Sequence, residues 1–460
     1  MSDKHNLMGT ESINKALARL AAPAIISLVI QTLYGLVDSA FVGRGLGDDG
    51  VVALAALAIA FPVFHLLICA GSGVAVGGSS YISRGFGSGN KELVKKGVGN
   101  MISMAIAVSI ICTILGLVFL DPILMIFGAT ETTLPFAHDY MFWIILCCVF
   151  QIVTITINAI VMAEGNSVYS MCMYIFSSLT NVVLDYIFIF EFGWGVQGAA
   201  IATVISQMLN VLILIFYLYK VSKLNFSIRW ISAKLSVYKE IGKIGISEFL
   251  REGALVFTLI VMVWNLNIYG TDSDVAVYGL INRIYGFAII PMLGIVQGMI
   301  PLTGYNYGAK NYDRVRKILK TALIWATAIT TFLMIVTYVF AGQIFTFFIP
   351  NDPELVKGAV IAYWIADICL PVVSLQMIGS AFMQALGKAR ASFILAIARQ
   401  VVMLPIIMII PYFLGLIGVW IAYPLPDFIV SAVAAWIIYK QLKALKVEEK
   451  MNEKYTAASV

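Results

Sequence analysis

Apolar residues fall along this chain in blocks of twenty or more, with little polar sequence between them. A helix needs ~20 apolar residues to cross hydrocarbon. Twelve blocks meet that length, at residues 20–43, 52–81, 99–120, 137–163, 167–191, 195–219, 244–268, 276–302, 319–341, 358–386, 391–413 and 416–439. Backbone groups in lipid must be satisfied within their own segment, and the blocks are far too long for tilted barrel strands. The pattern predicts an all-α integral membrane protein with twelve transmembrane helices.

The pattern is also written twice. Arg84-Gly85-Phe86-Gly87-Ser88-Gly89-Asn90 is echoed 221 residues later by Tyr305-Asn306-Tyr307-Gly308-Ala309-Lys310-Asn311. Each copy follows an apolar block and precedes a basic run (Lys95 and Lys96; Arg316 and Lys317). Gly73-x-x-x-Gly77 falls on Gly294-x-x-x-Gly298, Gly165 on Gly387, and Gly195-Val-Gln-Gly198 on Gly415-Leu-Ile-Gly418. A half-length repeat in an apolar sequence points to two homologous bundles. Because each half holds an even number of spans, both enter the membrane in the same direction. The expected architecture is two six-helix lobes related by a pseudo-two-fold axis along the membrane normal, with a cleft between them near the midplane. Residues 1–219 make the first lobe, 220–243 a linker carrying six basic residues, and 244–460 the second lobe and a cytoplasmic tail. The Gly-x-x-x-Gly pairs allow close helix approach.

Composition agrees, since a chain 61% hydrophobic and only 12% charged is too apolar to be water-soluble. The formal net charge of +5 is explained by where the basic residues lie. Of 30 Lys and Arg, 25 sit at the N-terminus, in the loops after even-numbered spans or at the C-terminus. Only Arg44 and Lys357 fall in the opposite loops, which carry Asp48, Asp49, Asp121, Glu131, Asp139, Glu191, Asp272, Asp274, Asp352 and Glu354. By the positive-inside rule both termini are cytoplasmic, in a multi-pass protein of the cell's inner (cytoplasmic) membrane. Lys4, Lys15 and Arg19 precede a span without a small-residue cleavage site, so that span is expected to be retained. All six cysteines lie inside apolar blocks and read as packing residues. His5, His65 and His138 have no metal-ligand spacing with Cys or carboxylates, and no Gly-rich nucleotide loop follows a strand. No enzyme, organic cofactor or nucleic-acid partner is expected.

Asp38 stands out among the polar groups inside the blocks, because a carboxylate in lipid costs ~2.5–3.5 kcal/mol even on lenient insertion scales. Gln31, Tyr34 and Asp38 are spaced by three and four and share one helix face. Asn181 and Asp185 share a face of the fifth span. Tyr140, Cys147, Gln151, Thr154 and Asn158 form a stripe along the fourth, and Thr203, Gln207 and Asn210 one along the sixth. Single amides and hydroxyls often do no more than bond a neighbouring helix. The two aspartates are different, for neither has a Lys or Arg on the first, fourth, fifth or sixth span to neutralise it. Such a carboxylate needs a proton or a metal cation, the coupling ions of secondary transport.

Gln31-Thr-Leu-Tyr34-Gly-Leu-Val-Asp38-Ser-Ala-Phe-Val42-Gly43, preceded by Pro23, resembles the first helix of the multidrug and toxic compound extrusion (MATE) family. Asn158, Asn181-Val-Val-Leu-Asp185 and the repeated loops extend the resemblance over nearly the whole chain, most closely to the branch of DinF- and MepA-type exporters. The resemblance implies a V-shaped pair of bundles and antiport driven by H⁺ or Na⁺, with export of organic cations or amphipathic drugs. It also implies a first-lobe cation site of Asp38, Asn181, Asp185 and Thr203, with Tyr140 and Asn158 nearby. Asp38, Asn181 and Asp185 become metal ligands if the ion is Na⁺. Pro23 would mark a bend coupled to the charge of Asp38, although a proline in a helix's first turn is the simpler alternative.

The second lobe departs from some relatives, because Val373 stands where they carry an acidic residue. It offers instead Glu248, Arg251, Glu252, Arg283, Asp367 and Arg399, expected chiefly to pair among themselves, with Glu248 or Glu252 a candidate contact for a cationic substrate. Gln31, Tyr34, Met292 and Gln376 complete the candidate substrate residues. Aromatic and methionine side chains such as Trp264, Tyr278, Phe287, Met292, Met299 and Met383 offer an adaptable surface. The expected partners are a small molecule and the bilayer, with the chain acting as a monomer. The alternative is a lipid-linked oligosaccharide flippase of the same superfamily, which would want arginines unpaired in the cleft.

Overall fold

The computed structural model describes residues 8–350 and 352–458, and among them there is no β-strand. The helices are α1 (Ile13–Gly45), α2 (Gly50–Gly87), α3 (Lys91–Val118), α4 (Leu120–Ile126), α5 (Leu134–Leu146), α6 (Cys148–Ala163), α7 (Ser167–Tyr186) and α8 (Gly195–Phe216). The second half contributes α9 (Leu235–Tyr269), α10 (Asp272–Gly308), α11 (Tyr312–Val339), α12 (Ala341–Phe348), α13 (Pro353–Ala366), α14 (Leu370–Ala385), α15 (Ala389–Ala422) and α16 (Leu425–Ala458). Among the described residues nine helices are each long and apolar enough to cross a bilayer. Two more crossings are bent pairs, α5 with α6 at 52° and α13 with α14 at 41°. The twelfth is α9, 35 residues long, with Glu248, Arg251 and Glu252 midway along it.

The two bends occupy equivalent places, Cys147 preceding α6 and Cys369 preceding α14. Gly415, at φ +60, reverses the chain inside α15. A Cβ on Gly418 would lie 2.8 Å from the Ile410 carbonyl oxygen, so the chain folds back there just as Gly195 starts α8 in the first lobe.

The repeated motifs are where the lobes touch. α2 packs along α9, and α1 along α10, each lobe's second helix meeting the other's first. A Cβ on Gly77 would lie 2.3 Å from the Ile241 carbonyl, and one on Gly298 would lie 2.9 Å from the Ala21 nitrogen. At the end that carries both termini the two repeat loops meet each other. A Cβ on Gly87 would sit 1.8 Å from the Tyr305 carbonyl oxygen, and one on Gly308 2.1 Å from that of Arg84. Since Arg84 and Tyr305 are themselves equivalent, the contact is nearly self-complementary, as at a two-fold axis. Asn90 and Asn311 cap the helices that follow, accepting from Leu93 N at 3.0 Å and Arg314 N at 3.3 Å. Ser80 adds a bond across the lobes to the Gln384 carbonyl at 2.5 Å. The lobes are thus closed against each other on the face bearing the termini.

Candidate functional site

Behind that closed end lies a cavity of about 340 Å³, walled by α1, α2, α6, α7 and α8 of the first lobe and by α9 and α10 of the second. Gln31, Tyr34, Asn158, Asn181 and Thr203 line it, together with Glu248 and Glu252 across the cleft. Asp38 and Asp185 sit just behind this lining, 8% and 0% exposed. Their carboxyl groups lie within hydrogen-bond reach of each other. Asn181 Nδ2 bridges them to α8, donating to Asp185 Oδ1 at 3.5 Å and to Thr203 Oγ1 at 3.4 Å. Tyr140, also buried, lies beside Thr203 and near both acids. The i, i+4 spacing on α7 and the shared face of α1 produce this cluster. No Lys or Arg among the described residues takes part in it.

The surrounding polar atoms are mostly acceptors without a protein donor. Asp38 Oδ1, Asp185 Oδ2, Gln151 Oε1, Asn158 Oδ1, Asn181 Oδ1 and Asn210 Oδ1 are buried without a hydrogen bond, as are the Thr154 and Ser206 hydroxyls. Buried acceptors of this kind cost free energy unless a donor or cation visits them. Among the described residues no group of three or more His, Cys, Asp or Glu is arranged so that it could hold a metal ion. A metal cation here would therefore draw its oxygen ligands from Asp38, Asp185, Asn181 and Thr203.

Pro23 lies ten residues into α1, well beyond the first turn, and is buried. The Ser27 hydroxyl donates to the Pro23 carbonyl at 2.9 Å, and the helix runs through without a break.

In the second lobe, Arg251 is held by Glu248 at 2.5 Å and by Glu252, while Gln384 donates to Glu248 at 2.9 Å. His65 Nε2 of the first lobe lies 3.6 Å from Glu252. Arg399 pairs with Asp427 at 2.8 Å rather than with Asp367, whose two carboxyl oxygens are buried without a partner. Arg283 is exposed.

Two expected substrate residues lie elsewhere. Met292 is fully buried in the second lobe's core. Gln376 is buried and donates to the Asp427 carbonyl at 2.9 Å and to Ser431 at 3.1 Å, stapling α14 to α16. Nor do these aromatic and methionine side chains line the cavity, since Met299 and Met383 are core and Trp264 and Phe287 are exposed outside its lining. Sequence reading missed Asp427 as the partner of Arg399, and Tyr174, Ser79 and Gln297 as cavity lining. Gln297 had a visible signal, being a polar residue inside the Gly294-x-x-x-Gly298 repeat.

Comparison with known proteins agrees with this geometry. The MatE family model matches residues 23–187 and again 253–410. The multidrug export protein MepA of Staphylococcus haemolyticus is 28% identical over 444 residues, covering 95% of this chain and 96% of that protein. A solved MATE structure in the bent conformation superposes with a TM-score of 0.90 at 26% identity, over 98% of this chain and 100% of the other. The outward-facing conformation of a multidrug resistance MATE transporter of the MOP superfamily gives 0.88 at 26% identity, over 97% and 99%. The double match, one copy per lobe, covers well over half the chain, and this protein belongs to the MatE family: it is a multi-pass membrane transporter, not an enzyme.

Proposed function

We propose that the protein exports organic cations or amphipathic drugs in exchange for H⁺ or Na⁺, and that Asp38 and Asp185 are the coupling pair. The observation that carries this reading is two buried carboxyl groups side by side with no basic side chain among them. Both cannot be ionised at that separation without a counter-charge, so a proton or a cation belongs between them. With the cleft open away from the termini, the pair takes up its ion and the charge is neutralised. Packing of α1 against α7 then changes, with Pro23 as the bend, and the state that released the substrate gives way to one open on the other side. Asn181, Thr203, Tyr140 and Asn158 hold the acids and the ion. Gln31, Tyr34, Glu248 and Glu252 meet the substrate, and the orphan acceptors favour a cationic or donor-rich molecule. MepA's description as a multidrug export protein supports the substrate class.

The basic loops support a cell-membrane protein with both termini in the cytoplasm. The chain acts as a monomer, and the ion is its only cofactor. For an uncharged substrate, each charge entering down ~100 mV supplies ~2.3 kcal/mol, sufficient for roughly 50-fold accumulation. The flippase reading loses support because Arg251 and Arg399 are neutralised by carboxylates. Ethidium efflux from vesicles under separate proton and sodium gradients tests the proposal. Wild type should respond to one of the two gradients, and Asp38→Asn should abolish that response. Equal efflux by the variant would remove the coupling site.

A further inference from the structure

A second cavity, of about 720 Å³, lies on the termini-bearing side of the first lobe, away from the cleft. Four segments enclose it: the loop from α2 to α3, the turn after α6, the helical turn Tyr217–Val221 that follows α8, and the linker at residues 222–234. The linker is sewn to α3 rather than draped over it. Ser103 donates to the Ser232 carbonyl at 2.6 Å, Lys234 N donates to Asn100 Oδ1 at 2.7 Å, and a Cβ on Gly99 would lie 1.8 Å from the Trp230 carbonyl oxygen. The cavity is therefore preformed.

Its lining has two characters. Lys91, Lys95 and Lys223 supply positive charge against one carboxylate, Glu164, which accepts from Ser222 at 2.7 Å. Lys91 and Lys223 are exposed and make no ion pair among the described residues, while Lys95 lies 3.2 Å from Glu92 with its ammonium 5.6 Å from the centre of the Trp230 ring. The remaining wall sets the apolar and aromatic side chains of Phe86, Val94, Leu224 and Trp230 beside the amides of Asn90, Asn166 and Asn225. A phosphate oxyanion satisfies the lysines, and a glycerol backbone with the start of its acyl chains satisfies the rest. A free phosphate would leave the apolar wall wet. We propose that this cavity binds the headgroup of an anionic phospholipid from the leaflet on the termini-bearing side.

The full-length protein in detergent can be titrated with phosphatidylglycerol, phosphatidylcholine or inorganic phosphate while its melting temperature is followed. Phosphatidylglycerol should stabilise the wild type saturably, whereas the other two should not. Lys91→Gln/Lys223→Gln should weaken the apparent affinity on the order of 10- to 30-fold. Lys317→Gln/Lys320→Gln, matched in charge on the second lobe, should leave it unchanged. An equal phosphatidylglycerol response in the Lys91→Gln/Lys223→Gln variant, an equal loss in both variants, no response in the wild type, or full protection by inorganic phosphate would each overturn the assignment.

Discussion

Adding one methyl group at Gly87 should open the closed end of the transporter. The new Cβ would lie 1.8 Å from the Tyr305 carbonyl oxygen, where real Cβ contacts essentially never fall below 3.0 Å, so the two helix ends must part by about 1.2 Å. The obstacle is backbone and cannot rotate away. Overpacking of this kind costs about 1–3 kcal/mol, and a coupling of that size shifts an equilibrium by roughly 5- to 150-fold. The cost falls only on the conformation in which the repeat loops touch, so it moves population rather than unfolding a lobe. Gly308→Ala should act alike, its Cβ meeting the Arg84 carbonyl at 2.1 Å. The double variant should cost less than the sum, because one displacement relieves both clashes. A reporter cysteine at cavity residue Ser79, with the exposed Cys172 replaced, can be labelled by an impermeant maleimide from either side of oriented vesicles. Labelling from the termini-bearing side should rise within that range for Gly87→Ala. Gly358→Ala, with nothing within 4 Å, should leave it unchanged. Unaltered labelling in a folded Gly87→Ala protein would refute the role given to the repeat.

Further predictions concern the second lobe. Met292→Ala should destabilise the fold by about 2–5 kcal/mol in a denaturant or thermal melt while substrate KM stays put, because Met292 is core and not cavity wall. Gln376→Met should destabilise the fold by about 1–3 kcal/mol in the same melt, through loss of the α14–α16 staple, again without altering drug affinity. Arg251→Met should cost about 3–5 kcal/mol by leaving Glu248 and Glu252 unpaired. Replacing both acids with Gln as well should restore most of that stability in the same melt.

Much of this fold was legible because lipid imposes a length on each helix and duplication leaves an offset. The N-lobe polar cluster was legible too, since helical spacing alone put Asn181 with Asp185 and turned Gln31, Tyr34 and Asp38 to one side. What a glycine approaches was not. Gly87 signals closeness, but that its partner is the equivalent loop of the other lobe depends on how the lobes dock. Met292 was misplaced because core, cleft and lipid all accept an apolar side chain, so a span that is apolar all round carries no mark of its faces. Gln376 and Arg399 were visible as polar residues in lipid, yet both depend on Asp427 at the start of α16, distant in sequence from either.

In the proposed mechanism one ion site, made by Asp38 and Asp185, ties substrate movement to ion movement. The most direct measurement follows ion and substrate together in proteoliposomes of the purified protein, under proton and sodium gradients in turn. The wild type should move one of these ions inward for substrate moved outward. Asp38→Asn and Asp185→Asn should still bind substrate but move no ion with it. Coupled ion flux that persists in both variants would contradict the account.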